Sequence, residues 1–293
     1  MLLLALACPD ELEILGITTV AGNVPLDLTQ RNARIMCELA GKTDVPVFAG
    51  CEKPIRRNLI TAENVHGKTG IDGVEVYQPD MLLQDQHAVD FIIETLLGAE
   101  DNSITIVPTG PLTNIGQAIS RQAGILPKIK EIVLMGGAMR EGGNTTPCAE
   151  FNILEDPDAA HIVFHCGRPL TIVPLDVTHQ ALVSQRRIDQ IRKLDSAVGT
   201  AIVGMMEFFN RFDSEKYGSE GAPLHDPCTI AFLLQPGLFT GKMCNVEVET
   251  ESPLTMGHTA VDFWGVTDRV KNVNWLYRVD ADGFFALLID RLR

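Results

Sequence analysis

The sequence predicts an α/β protein, an open and mostly parallel Rossmann-like sheet with helices on both faces. Three observations carry this reading. Short apolar, β-branched runs alternate with longer segments of helical periodicity. The apolar runs are almost free of charge, as strands covered on both faces are. Polar residues gather just past the ends of those runs, where an open parallel sheet forms its ligand crevice. At 293 residues the chain can bury a large core. No linker, repeat or low-complexity tract divides it, so one domain is expected over 1–293.

The chain opens on an apolar run, MLLLALAC (1–8), with no charge before it. LALAC resembles a lipoprotein cleavage box, but a signal peptide needs a basic segment and a longer apolar run ahead of that box. The expected structure is the second half of an amphipathic or buried helix, ended by Pro9. LEILGITTV (12–20) reads as a buried strand. RNARIMCELAG (31–41) has helical spacing and stops at a glycine. DVPVFAG (44–50) is a short strand, HAVDFIIETLLGA (87–99) a helix, SITIVPT (103–109) a strand and LTNIGQAIS (112–120) a helix. EIVLMGG (131–137) is the next strand. DPDAAHIVFH (156–165) begins with Asp-Pro, a helix start signal because proline's fixed φ suits the first helical position. PLTIVPLDVT (169–178) is expected to be a strand throughout.

Composition excludes several functions. Hydrophobic residues make up 45% and charged residues 21%, and 24 Lys and Arg stand against 38 Asp and Glu, for a net charge of −14. Gripping nucleic acid or an anionic membrane requires clustered Lys and Arg, so neither partner is expected. A neutral small molecule fits better. The 7 cysteines are odd in number, widely spaced and without CxxC, a pattern of reduced thiols in the cytoplasm. No stretch approaches the roughly 20 apolar residues of a membrane helix. GxGxxG, GxxxxGK[ST] and GxSxG are absent, so neither a nucleotide cofactor nor a serine hydrolase is supported.

Asn23, Thr109 and Asp176 follow apolar runs, and Asn144, Glu150 and Asn152 follow IVLMGG. Loops after strands are polar in general, so position alone leaves two meanings open. Asn144, Glu150 and Asn152 can bind a polyhydroxylated ligand, or can cap the next helix. In GAPLHDPCTIAFLL (221–234), His225 can donate a proton near neutral pH and Asp226 can ligate a hard cation. An isolated His-Asp-Pro is more commonly a helix cap. His66 sits in a glycine-punctuated loop, ENVHGKTGIDG (63–73). Trp264 and Trp275 can stack on a base, although core packing is the commoner role.

Taken together, TTVAGN, ENVHGKTGIDG, VPTGPLTNI, IVLMGGAMREGGNTTPCAEFNILEDPDAAHIVF and LHDP closely resemble the inosine–uridine-preferring nucleoside hydrolases. The match runs in order from about Leu2 to VDADGFFALLIDRL (279–292). AEFN…DPDAA is its most specific part; HDP and AGN have meaning only in company. The resemblance implies the nucleoside hydrolase fold and an N-ribohydrolase, in which water attacks the anomeric carbon through an oxocarbenium-like transition state. It implies one Ca²⁺ that holds the ribose 2′- and 3′-hydroxyls and the attacking water. Asp226 then matches a Ca²⁺ ligand, and Thr109 a residue that ligates through its carbonyl. Asn23, Asn144, Glu150 and Asn152 match ribose-binding groups, and Met135 and Phe151 line the sugar site. His225 matches the residue that protonates the leaving base, and His66 faces the base. Tyr217 is expected near the base, and the loops around 213–224 to decide base preference. A cytoplasmic homodimer or homotetramer is implied.

One departure stands out. Family members carry an Asp-rich motif, DTDPGxDD or close to it, directly after a first strand and before a helix reading like ALALLLALASPE. MLLLALACPDE corresponds to the interior of that helix, so the first strand and the motif's aspartates are absent from these 293 residues. The expected consequences are impaired hydrolysis, doubtful Ca²⁺ binding, and an uncovered strand edge in the middle of the sheet. The alternative function is a non-catalytic ribose- or nucleoside-binding protein, or an oligomer partner.

Overall fold

The structure is a computed structural model that describes residues 1–217 and 221–293, the side chains of 212–217 apart. Tyr217, expected near the base, therefore lies outside the described side chains. In chain order the elements are α1 (Leu2–Leu6), β1 (Ile17–Thr19), α2 (Leu26–Leu39), β2 (Val47–Ala49), α3 (Glu63–His66), α4 (Ala88–Gly98), β3 (Ile104–Ile106), α5 (Thr113–Arg121), β4 (Ile129–Met135), α6 (Phe151–Glu155) and α7 (Pro157–Phe164). They continue with β5 (Leu170–Val173), α8 (Leu175–Thr178), α9 (Gln185–Arg192), α10 (Ala197–Tyr217), α11 (Pro227–Leu234), β6 (Phe239–Val248), β7 (Thr259–Asp262), β8 (Val273–Val279) and α12 (Ala281–Arg291).

Six strands form a sheet in the order β3-β4-β5-β8-β6-β7. β3, β4, β5 and β8 run parallel, and β6 and β7 add an antiparallel edge. The mostly parallel α/β architecture read from the sequence is thus present, with an antiparallel edge that the apolar runs did not announce. Alternation along the strands feeds two cores. Ile132 and Leu134 of β4 pack with α4, α5 and α7, while Val133 between them packs with α11 and α12. Trp275 on β8 is fully buried in the first core, which settles its role as packing; Trp264 is 77% exposed.

Most elements keep the expected order with shorter bounds. The strand expected over 12–20 contracts to Ile17–Thr19, and the helix expected from 31 begins at Leu26, after Pro25. The Asp-Pro helix start holds: Asp156 accepts from the Ala159 amide at 3.0 Å, and Pro157 takes the first helical position. The strand expected over 169–178 is corrected. It ends at Val173, because Pro174 has no N–H for the ladder, and 175–178 wind into α8. The opening apolar run forms α1, with Leu3, Leu4, Ala5 and Leu6 buried.

β1 and β2 pair with each other in a separate two-stranded sheet. The Ile17 amide turns toward Pro46 on the β2 side, so alternation turns the backbone groups of Thr18 the other way. The Ser103 amide likewise turns to Lys128 on the β4 side, which turns Ile104 away from β4. The outer edges of β1 and β3 both face one slot, walled by Phe91, Ile92 and Leu96 of α4 on one side and by Leu3, Leu4 and Ile230 on the other. Among the described residues, β1 pairs with β2 and β3 with β4, each on one side.

Asn114 of α5 is the polar link that holds β1 and β2 beside the larger sheet. Its Nδ2 donates to the Thr19 carbonyl at 2.9 Å, and its Oδ1 accepts from the Cys51 amide at 2.9 Å. Gly50 makes this approach possible, since a Cβ there would stand 2.3 Å from Asn114 Oδ1. Asn114→Ala is expected to leave a buried N–H and C=O without partners and to cost about 2 kcal/mol. Thermal unfolding followed by circular dichroism measures this; an unchanged midpoint would remove Asn114 from that role.

Candidate active site

The sequence-selected residues Asn23, His66, Thr109, Met135, Asn144, Glu150, Phe151, Asn152, His225 and Asp226 all line one cavity of about 1420 Å³, which runs on into the slot between β1 and β3. Parallel topology explains the convergence. β1, β3 and β4 end on the same side, and the loops that follow them carry Asn23, Thr109 and the Asn144–Asn152 group. Asp176 is the exception among the residues that follow apolar runs. Its carboxylate accepts from the Met139 and Arg140 amides at 2.8 and 2.7 Å, so it fixes the loop after β4 and does not line the cavity.

On one side of the cavity the geometry is set by Glu150. Its Oε1 accepts from the Asn152 amide at 2.9 Å, and its Oε2 from the Gly137 and Ile153 amides at 3.0 and 3.2 Å. The carboxylate therefore caps α6 and ties it to the end of β4, the capping meaning, in a cluster that lines the cavity. Burial pushes the Glu150 carboxyl up to about 7, against the pull of the three backbone donors. Asn152 Nδ2 donates to the Met135 carbonyl at 3.1 Å and lies 3.5 Å from the Thr109 carbonyl. Met135 thus positions Asn152 as well as lining the wall. Asn144 Oδ1 accepts from the Phe151 amide at 3.0 Å, which orients its Nδ2 as a donor for a ligand. The Asn23 side-chain amide has no partner among the described residues, whereas its carbonyl accepts from the Ala62 amide at 2.9 Å.

The other side is aromatic and imidazole-rich. His66 stacks on Phe209 with ring centroids 5.5 Å apart, and Phe209 meets His225 edge-on at 6.4 Å. His225 Nδ1 lies 2.7 Å from the Thr178 hydroxyl. His179, 5.9 Å from His225 between centroids, pairs through Nδ1 with Glu141 at 2.9 Å. Burial pulls His225 down to about 3, helped by the neighbouring His179 and His66, and pulls His66 down to about 4. Both rings are neutral near pH 7. Phe209, His179 and Thr178 escaped the sequence reading. Phe209 belongs to a long helix with no motif, and Thr178 and His179 belong to the turn expected as strand.

Asp226 precedes α11 without capping it through its side chain; its backbone carbonyl takes the Thr229 hydroxyl at 2.7 Å instead. The carboxylate faces the cavity, beside the α-amino group of Met1, and burial raises its pKa. Asp226 and Thr109 both line this cavity.

Residues 1–286 match the inosine-uridine preferring nucleoside hydrolase family. An uncharacterized protein of Schizosaccharomyces pombe is 47% identical over 290 residues, covering 99% of this chain and 93% of that protein. A pyrimidine-specific ribonucleoside hydrolase of Shewanella sp. strain ANA-3 is 46% identical over 292 residues, covering 99% of this chain and 91% of the relative. The solved structure of a purine-preferring ribonucleoside hydrolase from Gardnerella vaginalis superposes with a TM-score of 0.91 at 34% identity, covering 99% of this chain and 92% of that one.

Glu150→Gln tests the scaffold of the site. Its amide NH₂ would face backbone N–H groups that now meet a carboxylate oxygen. The substitution is expected to cost about 1–3 kcal/mol, measured by chemical denaturation. A stability equal to that of the unsubstituted chain would show that the three donors do not depend on the carboxylate.

Proposed function

The chain belongs to the inosine-uridine preferring nucleoside hydrolase family, and from that premise we propose that it acts on pyrimidine ribonucleosides, cleaving the N-glycosidic bond to ribose and free base. The observation that carries the reading is the convergence of a hydroxyl-binding side and an imidazole side on one cavity. The pyrimidine preference rests on the names of relatives 44–46% identical to this chain.

In the reaction the C1′–N bond breaks with its electron pair going to the base, and the water oxygen bonds to C1′. The water loses a proton and the base nitrogen gains one. Asn23, Asn144 and Asn152 suit the ribose hydroxyls, because amides both donate and accept. Negative charge on Glu150 and Asp226 favours the positive charge that develops on the sugar. Phe209 and His66 offer flat surfaces for the base, and His225, neutral in the free cavity, is placed to give a ring N–H as a hydrogen bond to the leaving base nitrogen.

Ca²⁺ enters as an expectation of the family resemblance, and the described residues do not make its shell. Asp226 and the Thr109 carbonyl supply two donor residues, against the roughly six to eight oxygens that calcium takes. Glu150 could add one donor at most, since Oε2 already holds two backbone amides and Oε1 one. A second reading is that the chain binds ribose or a nucleoside without turning it over. The resemblance also brings the expectation of a cytoplasmic homodimer or homotetramer, which size-exclusion chromatography tests.

Two measurements separate the readings. Incubation with uridine, cytidine and inosine, with base release followed by chromatography, is expected to show turnover with uridine or cytidine preferred. Saturable ribose binding by calorimetry without base release establishes the binding reading instead. Where turnover is present, His225→Ala is expected to lower it by about 10²–10⁴-fold on uridine. The loss should be smaller on p-nitrophenyl riboside, whose leaving group needs little protonation; equal losses would argue against His225 as the acid. In a separate calorimetric titration, Ca²⁺ is expected to bind no tighter than about 10⁻³ M. Tighter binding would overturn the two-donor count.

A further inference from the structure

Away from the cavity, His161, His165 and Glu247 converge on the surface where α7 packs against β6. Their ligand atoms all lie within 4.8 Å of one another. His161 sits on α7 and His165 one turn later, just past its end, so both rings share a face. The ring centroids are 4.4 Å apart.

His165 Nδ1 lies 2.9 Å from the His161 carbonyl, which only accepts, so Nδ1 carries a hydrogen. The other nitrogen, Nε2, stands 3.0 Å from Glu247 Oε2. Nε2 and Oε2 therefore face each other at a spacing that suits two neighbouring ligands of one ion, each about 2 Å from it. Glu247 Oε1 already accepts from Asn245 Nδ2 at 3.1 Å, which leaves Oε2 as the oxygen that is free to coordinate. The His161 ring nitrogens have no hydrogen-bond partner among the described residues. An imidazole that gives one N–H to a backbone carbonyl while its other nitrogen faces outward is the usual setting of a metal-bound histidine.

We propose that His161, His165 and Glu247 form a three-ligand site for a divalent transition-metal ion, Zn²⁺ in particular. Two imidazole nitrogens and one carboxylate oxygen suit zinc, with water as the fourth ligand. The donor set differs in kind from the all-oxygen pair of Asp226 and Thr109. The ion would fasten the end of α7 to β6, at the opposite end of the α6–α7 segment from Glu150 and without entering the cavity.

Calorimetric titration of the full chain with ZnCl₂ is expected to show one strong site, and zinc is expected to raise the thermal midpoint. His161→Ala and His165→Ala are each expected to weaken that site at least about tenfold, and Asn245→Ala about tenfold through loss of Glu247's orientation. His161 and His165 are exposed, so those variants should fold; Asn245 is buried and also holds the Val270 carbonyl, so its variant is compared only after its thermal midpoint without zinc is measured. Co²⁺ in place of Zn²⁺ should give visible d–d bands without thiolate charge transfer, which separates this site from binding at the adjacent Cys166. Unchanged zinc affinity in the doubly substituted His161→Ala/His165→Ala chain would overturn the proposal. So would a thiolate band with Co²⁺, or the absence of binding at zinc concentrations up to about 10⁻⁴ M, leaving only a His165–Glu247 ion pair.

Discussion

Two buried carboxylates on either side of a five-residue helix are the constraint on which the rest of the site depends. α6 is too short to be stable on its own, and Glu150 and Asp156 hold it at its two ends. Glu150 gathers the Gly137, Asn152 and Ile153 amides. Asp156, fully buried, takes the Ile55 amide at 2.9 Å, the Thr113 hydroxyl at 2.7 Å and the Ala159 amide at 3.0 Å. Each carboxylate joins segments that are distant in sequence, and neither leaves an unmet donor nearby. Such groups are costly to bury and gain specificity only when fully partnered. The reward is a rigid stretch, Glu150–Asp156, that delivers Asn152 to one end of the cavity and starts α7 at the other.

That rigidity lets the cavity divide its chemistry between two sides. Amide and carboxylate groups stand on the strand-end loops, while imidazole and aromatic groups come from α3, α10 and the loop before α11. Burial sets the electrostatics: it keeps His66 and His225 neutral and raises the Glu150 and Asp226 carboxyls.

Much of this was legible in the sequence, because periodicity and motif spacing report local physics. The β4 run was visible as an apolar stretch because residues on both of its faces, Ile132 to Met135, are buried, and α7 was visible through Asp-Pro. The ten cavity residues were identifiable because their motifs are contiguous or specific in combination. What stayed hidden depends on contacts between distant segments. The role of Asp176 is set by the amides of Met139 and Arg140, which no local pattern discloses. Phe209 looks like any apolar position of a helix until His66 and His225 are placed beside it. The break at Pro174 was readable in principle, since proline ends a ladder, but the apolar residues on both sides of it suggested one continuous strand.

The division of the sheet carries a consequence for the dynamics of the molecule. β1, β2, α1 and α2 share a small core of their own, around Leu6, Ala33, Cys37 and Val47, apart from the two large cores. No ladder bond among the described residues ties β1 and β2 to the six-stranded sheet, although Leu3, Ile35 and Met36 pack into the second large core, so the unit is expected to open more readily than the rest. Amide hydrogen exchange in β1 and β2 then reports a local opening equilibrium, while β4 and β5 report global unfolding. Asn23 belongs to the weaker unit and Asn144, Glu150 and Asn152 to the stronger. A ligand that spans the cavity is bound only when both are closed, so its binding free energy is also the energy that holds the two parts of the molecule together.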